Sequence, residues 1–177
     1  MNQSRPGAGE YAEFYEKYVS LIQEPDIIPV LEAQLRQMIA LFSGRSEREG
    51  DFRYAPGKWS VKEILGHVND AERVFTYRAL RIARGDQTPL PGFEQDDYVR
   101  VANSGKRKLM DIVEEFSDVR HATLSLFRSF PSDSWLRRGT ASNHEVSVRA
   151  LAYITAGHEL HHRRILEERY FPAIPRA

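Results

Sequence analysis

The residues with the most chemistry to offer stand near the end of the chain, in Gly157-His158-Glu159-Leu160-His161-His162. They belong to a helical pattern running from about Val146 to Tyr170. At roughly 100° per residue, Val148, Leu151, Ile154, Ile165 and Leu166 share one side, and Arg149, Arg163 and Glu167 the other. His158 and His162 lie near the middle of the apolar side. A polar ring buried without a partner costs roughly 1–3 kcal/mol, so two imidazoles there need a reason. Spaced i, i+4, both can reach one metal ion.

Metal and ligand sites in helical bundles are built from side chains that face inward from different helices. His67, on the shoulder of the apolar stripe of an earlier helix, is the best candidate for a third ligand. Taken alone it reads as an ordinary hydrogen-bonded core histidine. Together, three neutral imidazoles around a divalent ion, with the remaining position open, make the arrangement of a catalytic site, not a closed structural one. Zinc or nickel suits it, and iron(II) or manganese is compatible by ligand type. His161 lies about 60° from His158 on the other flank and could replace His162, although the centre of the stripe favours His162. His121 and His144 have no helical partner histidine and read as ordinary polar residues. Asp70, three residues after His67, either orients its imidazole from behind or is a solvated carboxylate. Arg78 points close to the direction of His67 two to three turns on. It either binds an anionic group of a substrate or snorkels out of the bundle.

The same stretch contains His-Glu-x-x-His, the zinc-protease pattern, in which the glutamate is the general base. The longer form of that pattern needs Gly at 165 and His at 168, where this chain has Ile165 and Glu168. The other form takes a glutamate from a further helix, and only 15 residues follow His162. Glu159 also points roughly 100° away from His158. Protease chemistry is therefore disfavoured.

Four long amphipathic helices must position these residues. Asp26 is a plausible N-cap, with Pro29 in the first turn, for a helix carrying Leu31, Leu35, Met38, Ile39 and Phe42 and ending near Gly44. Ser60-Val61-Lys62-Glu63 reads as a capping box opening a helix with Ile64, Val68, Ala71, Phe75 and Ile82 on one side, stopping at Gly85. Leu109, Ile112, Val113, Phe116, Val119, Thr123, Phe127 and Phe130 mark the third, ended by Pro131. The fourth begins near Glu145 to Ser147. A short leading helix covers Tyr11, Phe14, Tyr15, Tyr18, Val19 and Ile22, and Pro25 stops it. Arg45 to Asp51 reads as a charged connector, and Ser132 to Asn143 as irregular. Gly85 to Ser104 is long for a bundle connection, and such segments are often lids or binding loops; Phe93 and Tyr98 are its candidate lid residues. No β alternation is convincing. The expectation is an all-α four-helix bundle over residues 10–171 as one domain, with 1–9 a flexible lead-in.

Composition narrows the partners. With 177 residues, 41% hydrophobic and 28% charged, the chain is an ordinary globular sequence. Its 25 basic and 25 acidic residues cancel, so no overall field favours nucleic acid or an anionic membrane. The absence of cysteine leaves His, Asp and Glu as the strong metal ligands. The first nine residues lack the apolar core of a signal peptide, and no apolar run approaches the roughly 20 residues of a membrane span. A cytoplasmic protein is expected.

Three stretches then resemble one family: Pro56-Gly57-Lys58-Trp59-Ser60-Val61-Lys62-Glu63-Ile64-Leu65-Gly66-His67, Arg78-Ala79-Leu80-Arg81-Ile82-Ala83-Arg84-Gly85-Asp86, and Gly157-His158-Glu159-Leu160-His161-His162. The chain is similar, from about Tyr11 to Tyr170, to the DinB-like superfamily of damage-inducible proteins, which includes the YfiT type of metal-dependent hydrolases and thiol-transferase-like members. The combination of a Trp-Ser-x-x-Glu helix start, one early histidine in that helix and a His-x-x-x-His pair in the last helix carries the similarity. The resemblance implies a bundle in down-up-up-down order, a metal site at His67, His158 and His162, and a homodimer. It further implies a hydrolase, or a transferase using a low-molecular-weight thiol, acting on a small molecule. The competing expectation is a metal-binding stress-response or interaction protein without turnover.

Overall fold

The computed structural model describes residues 4–175. The chain enters through a 3-10 turn, Glu13–Tyr15, into a single helical turn, α1 (Glu16–Val19). This leading helix is shorter than the apolar rhythm predicts, because the backbone is extended at Tyr11 and Ala12. Its core contribution comes from Val19 and Ile22. Asp26 then accepts the Ile28 amide and starts α2 (Ile27–Phe42), and Gly44 leaves it with positive φ.

The charged connector contains one turn, α3 (Glu47–Gly50), closed by its own Ser46–Glu49 capping box. Glu47 and Asp51 flank the Lys62 ammonium at 2.7 and 2.8 Å. The predicted box at the next helix is present: Ser60 Oγ accepts from the Glu63 amide at 3.2 Å, and Glu63 accepts from the Ser60 amide at 2.6 Å. It opens α4 (Val61–Ala83), which ends before Gly85 at φ 82°.

Two elements depart from the expectation. The 85–104 connection contains a helix, α5 (Gln95–Ala102), and after α6 (Leu109–Arg128) the stretch read as irregular forms a hairpin of β1 (Arg138–Ala141) and β2 (His144–Ser147). Arg138 pairs with Ser147 and Ala141 with His144 in the antiparallel register. The two turn residues, Ser142 and Asn143, both have positive φ, which matches the twist of a two-residue hairpin turn. Strands of four residues are too short to show alternation. The last helix, α7 (Val148–Ile165), accordingly starts later than predicted, with Ser147 Oγ accepting the Ala150 amide, and runs into one π turn over Leu166–Tyr170.

The four long helices form a ring in the order α2, α6, α4, α7. Tyr153 at the start of α7 donates to the Glu24 carbonyl before α2, and Phe171 after α7 packs on Phe42 at the end of α2, so these two run the same way. Asn69 reaches the Ile112 carbonyl and Glu72 reaches Arg120, so α4 and α6 are parallel. Tyr170 donates to the Trp59 carbonyl, which sets α7 against α4. The result is a four-helix bundle in down-up-up-down order.

Its core is in two parts. One apolar cluster gathers Ile27, Phe75, Ile82, Phe127 and Leu151, and the other Met38, Leu65, Ile112, Phe116 and Leu166. On every long helix a buried polar residue marks the boundary between them: Gln34, Glu72, Arg120 and His158. Arg120 grips both oxygens of Glu72 at 2.8 Å and also donates to the Leu31 carbonyl and to Gln34, whose amide donates to the Ala156 carbonyl. A buried charge needs this degree of pairing to be tolerated.

Candidate metal centre

The second turn of α4 presents His67 towards α7, and two consecutive turns of α7 present His158 and His162 back. Their ligand nitrogens all lie within 4.8 Å of one another. His67 Nε2 and His158 Nε2 are 3.0 Å apart, so in neutral tautomers one donates to the other. The ring centroids of His67 sit 4.9 Å from both partners, and those of His158 and His162 are 4.5 Å apart. His67 and His158 are only 3% and 4% exposed, whereas His162 keeps a partly exposed edge.

Burial governs the protonation of the cluster. Desolvation lowers the pKa of His67 to about 4, the nearby Asp96 charge pulling weakly the other way. Desolvation holds His158 and His162 well below the ordinary range, reinforced by mutual repulsion among the imidazoles. Three neutral imidazoles are the form that coordinates a metal. Nitrogens of a tetrahedral zinc site stand about 3.3 Å apart, so the cluster needs only side-chain adjustment to fit a divalent ion.

Aromatic rings wall the cluster. Trp59 packs 4.9 Å from His67, Phe75 5.6 Å and Tyr18 5.2 Å from His158. Each buried histidine also follows a glycine that permits a close approach. A Cβ on Gly157 would stand 2.1 Å from the Tyr18 carbonyl oxygen, and one on Gly66 2.5 Å from Ser104 Oγ. Beside His162 a cavity of about 350 Å³ opens, lined among others by Tyr54, Lys58, Trp59, Asp96 and Arg169.

A sequence profile of the DinB superfamily matches residues 31–166, which include all three histidines. The chain belongs to the DinB superfamily. No curated protein sequence matches it. Among solved structures, this DinB chain is similar to YfiT from Bacillus subtilis, described as a probable metal-dependent hydrolase with an unusual four-helix bundle topology. The two share 16% identity over 95% of each chain, with a TM-score of 0.67, a likeness of fold.

The other candidate residues of this DinB-superfamily chain lie elsewhere. His161 packs its ring on Tyr18 and His162 outside the cluster. Glu159 is 1% exposed, stands 3.2 Å from Arg163 and feels the buried Arg120, away from the imidazoles. The protease geometry is thus missing. Asp70 has Arg73 as its ion-pair partner at 3.7 Å, with no hydrogen bond to His67 among the described residues. Arg78 is buried far along α4, bonded to the Pro91 carbonyl and Ser142 Oγ. Phe93 and Tyr98 pack on each other, 5.1 Å between centroids, in that same region. His121 is exposed on α6, and His144 packs on Phe14. Trp59, Tyr18 and Phe75, legible in the sequence only as a helix start and apolar helix positions, and Asp96 in the long connection also belong to the surroundings of the cluster. For Tyr18 a signal does exist: a glycine inside a helix costs stability relative to alanine, so Gly157 implies that another backbone comes close.

Proposed function

We propose that His67, His158 and His162 hold a divalent ion, and that the protein is a metal-dependent hydrolase, or a transferase taking a low-molecular-weight thiol, acting on a small molecule. One observation carries this reading: three desolvated, neutral imidazoles from two helices converge at the edge of an open cavity. The description of YfiT as a probable metal-dependent hydrolase supports it. Zinc or nickel fits the donor set best. A bound divalent ion supplies a Lewis acid that makes water or a thiol acidic enough to act near neutral pH.

The chain's own residues do the rest. Trp59, Phe75 and Tyr18 fix the imidazole rings and keep water from their backs. The cavity beside His162 admits a small molecule, with Trp59 and Tyr54 as its aromatic wall and Lys58, Asp96 and Arg169 as its charged groups.

The test is a metal-reconstituted preparation assayed against activated thiol acceptors with low-molecular-weight thiols, and against simple esters. Metal-dependent turnover that His158→Ala removes is the expected result. Stoichiometric metal binding with no turnover across the panel would instead support a non-catalytic metal-binding protein. If His158→Ala retains the wild-type metal content, the ligand assignment is wrong.

A further inference from the structure

Two arginines of this bundle are buried to the same degree and treated oppositely. Arg120 is fully buried and has both oxygens of Glu72. Arg78 is 2% exposed and has no carboxylate partner among the described residues. Its Nη2 donates to the Pro91 carbonyl at 2.7 Å and to Ser142 Oγ at 3.0 Å, and the Phe93 ring lies 6.0 Å from the guanidinium carbon. A buried cation satisfied by neutral oxygens alone still lacks the counter-charge that offsets its desolvation.

Arg78 also lines a cavity of about 280 Å³ between α4 and the 85–104 connection. The other walls are mostly apolar, Val74, Pro91, Phe93 and the rings of Tyr77 and Tyr98, with one further cation, Arg73, that is half exposed and already paired with Glu115. Tyr77 and Tyr98 are about half exposed, an unusual use of large rings unless something covers them. The roof is fixed by backbone pairing. Leu90 donates to the Thr140 carbonyl and accepts from the Ser142 amide, which locks the connection onto the hairpin turn that carries Ser142. An apolar pocket with one buried cation in its wall is the form of a site for an organic anion.

We propose that this cleft binds a small carboxylate with an aromatic or aliphatic body, its carboxylate meeting Arg78 and its body lying against Phe93 and Tyr98. No histidine of the cluster lines this cleft, and Arg78 is eleven residues beyond His67, about 16 Å along the helix. The proposal therefore does not rest on metal binding.

The probe is 3-phenylpropionate, titrated calorimetrically into the full chain as purified and into His158→Ala, with 3-phenylpropionamide as the uncharged control. The acid should bind both proteins equally, and the amide at least about tenfold more weakly, the difference between a charge-assisted bond and a neutral one. Arg78→Gln should remove the preference for the acid. Phe93→Ala should weaken acid and amide alike, and this variant keeps the test open if Arg78→Gln does not fold. Equal affinity for acid and amide overturns the proposal, as does no binding of the acid at millimolar concentration. Binding that is lost in His158→Ala also overturns it, because the metal centre would then be the anion's site.

Discussion

His161 and His162 are neighbours in the chain, and a step of about 100° around the helix decides what each one faces. His162 turns its ring onto His67 and His158. His161 turns onto Tyr18 and remains half-buried at the flank. Replacing them one at a time separates the two. His162→Ala should abolish stoichiometric metal binding, and His161→Ala should retain it, as read by elemental analysis of proteins purified without a histidine tag. The opposite pattern would transfer the ligand role to His161. The helical period alone places His158 and His162 together and His67 on the inner side of its helix, because it reports direction. It does not report what another segment lays over that direction. Arg78 has nearly the same heading as His67, yet the connection carrying Pro91 and Phe93 covers it and gives it different partners. Direction alone leaves Asp70 equally ambiguous; in the fold its carboxylate stands 3.7 Å from Arg73.

At the scale of elements, the centre depends on how closely α1 lies against α7. Gly157 lets the Tyr18 carbonyl pass where a side chain would stand, and Tyr18 then packs its ring on His158. Gly157→Ala would place Cβ 2.1 Å from that backbone oxygen, so α1 must move away. The expected cost is about 1–3 kcal/mol in chemical denaturation, although alanine is the better helix former. Gly66→Ala should cost less, because Ser104 meets the new methyl with a side chain that can rotate. A Gly157→Ala protein as stable as wild type would show that the approach is looser than this. The long helices were legible because each carries an apolar stripe and a stop: Asp26, the Ser60–Glu63 box, Gly44, Gly85 and Pro131 all sit at or beside real ends. The hairpin was not, because Arg138–Ala141 and His144–Ser147 are held by backbone pairing and by Ser142 and Asn143 in left-handed conformations, a turn with no glycine to announce it. α5 was hidden for a related reason. It buries only Val99, so it leaves no stripe to read.

For the whole molecule, the junction that joins the leading segment to the start of the last helix predicts a stepped response to acid. Glu10 lies against the start of α7. Its carboxylate accepts from the Gly7 amide at 2.9 Å, from Ser147 Oγ at 2.8 Å and from Arg149 Nε at 2.7 Å. Burial raises its pKa, but the Arg149 guanidinium, the Gly7 amide and the Ser147 hydroxyl outweigh that and hold it at about 2, against 4.5 for a free glutamate. The unfolded chain therefore binds the proton more readily between those values. The stabilisation is complete above about pH 4.5 and disappears as the pH falls towards about 2. His67 acts in a higher window. Burial lowers its pKa from 6.5 to about 4, so the unfolded chain takes up that proton first and stability declines as the pH falls from about 6.5 to about 4. The buried Glu159 carboxyl, raised by burial to about 7, works the other way in that window, but the three lowered imidazoles outweigh it. Denaturation midpoints of the metal-free protein should thus fall first across the histidine window and again across the glutamate window. Glu10→Gln should lose about 2 kcal/mol at neutral pH, the scale of a hydrogen-bonded charge, and should show a smaller lower step while keeping the upper one, the remainder of the lower step coming from other paired carboxylates such as Glu63 and Glu115. A Glu10→Gln curve parallel to wild type from pH 7 down to pH 2 would mean that this carboxylate does not tie the leading segment to α7. The acid sensitivity would then belong to other groups.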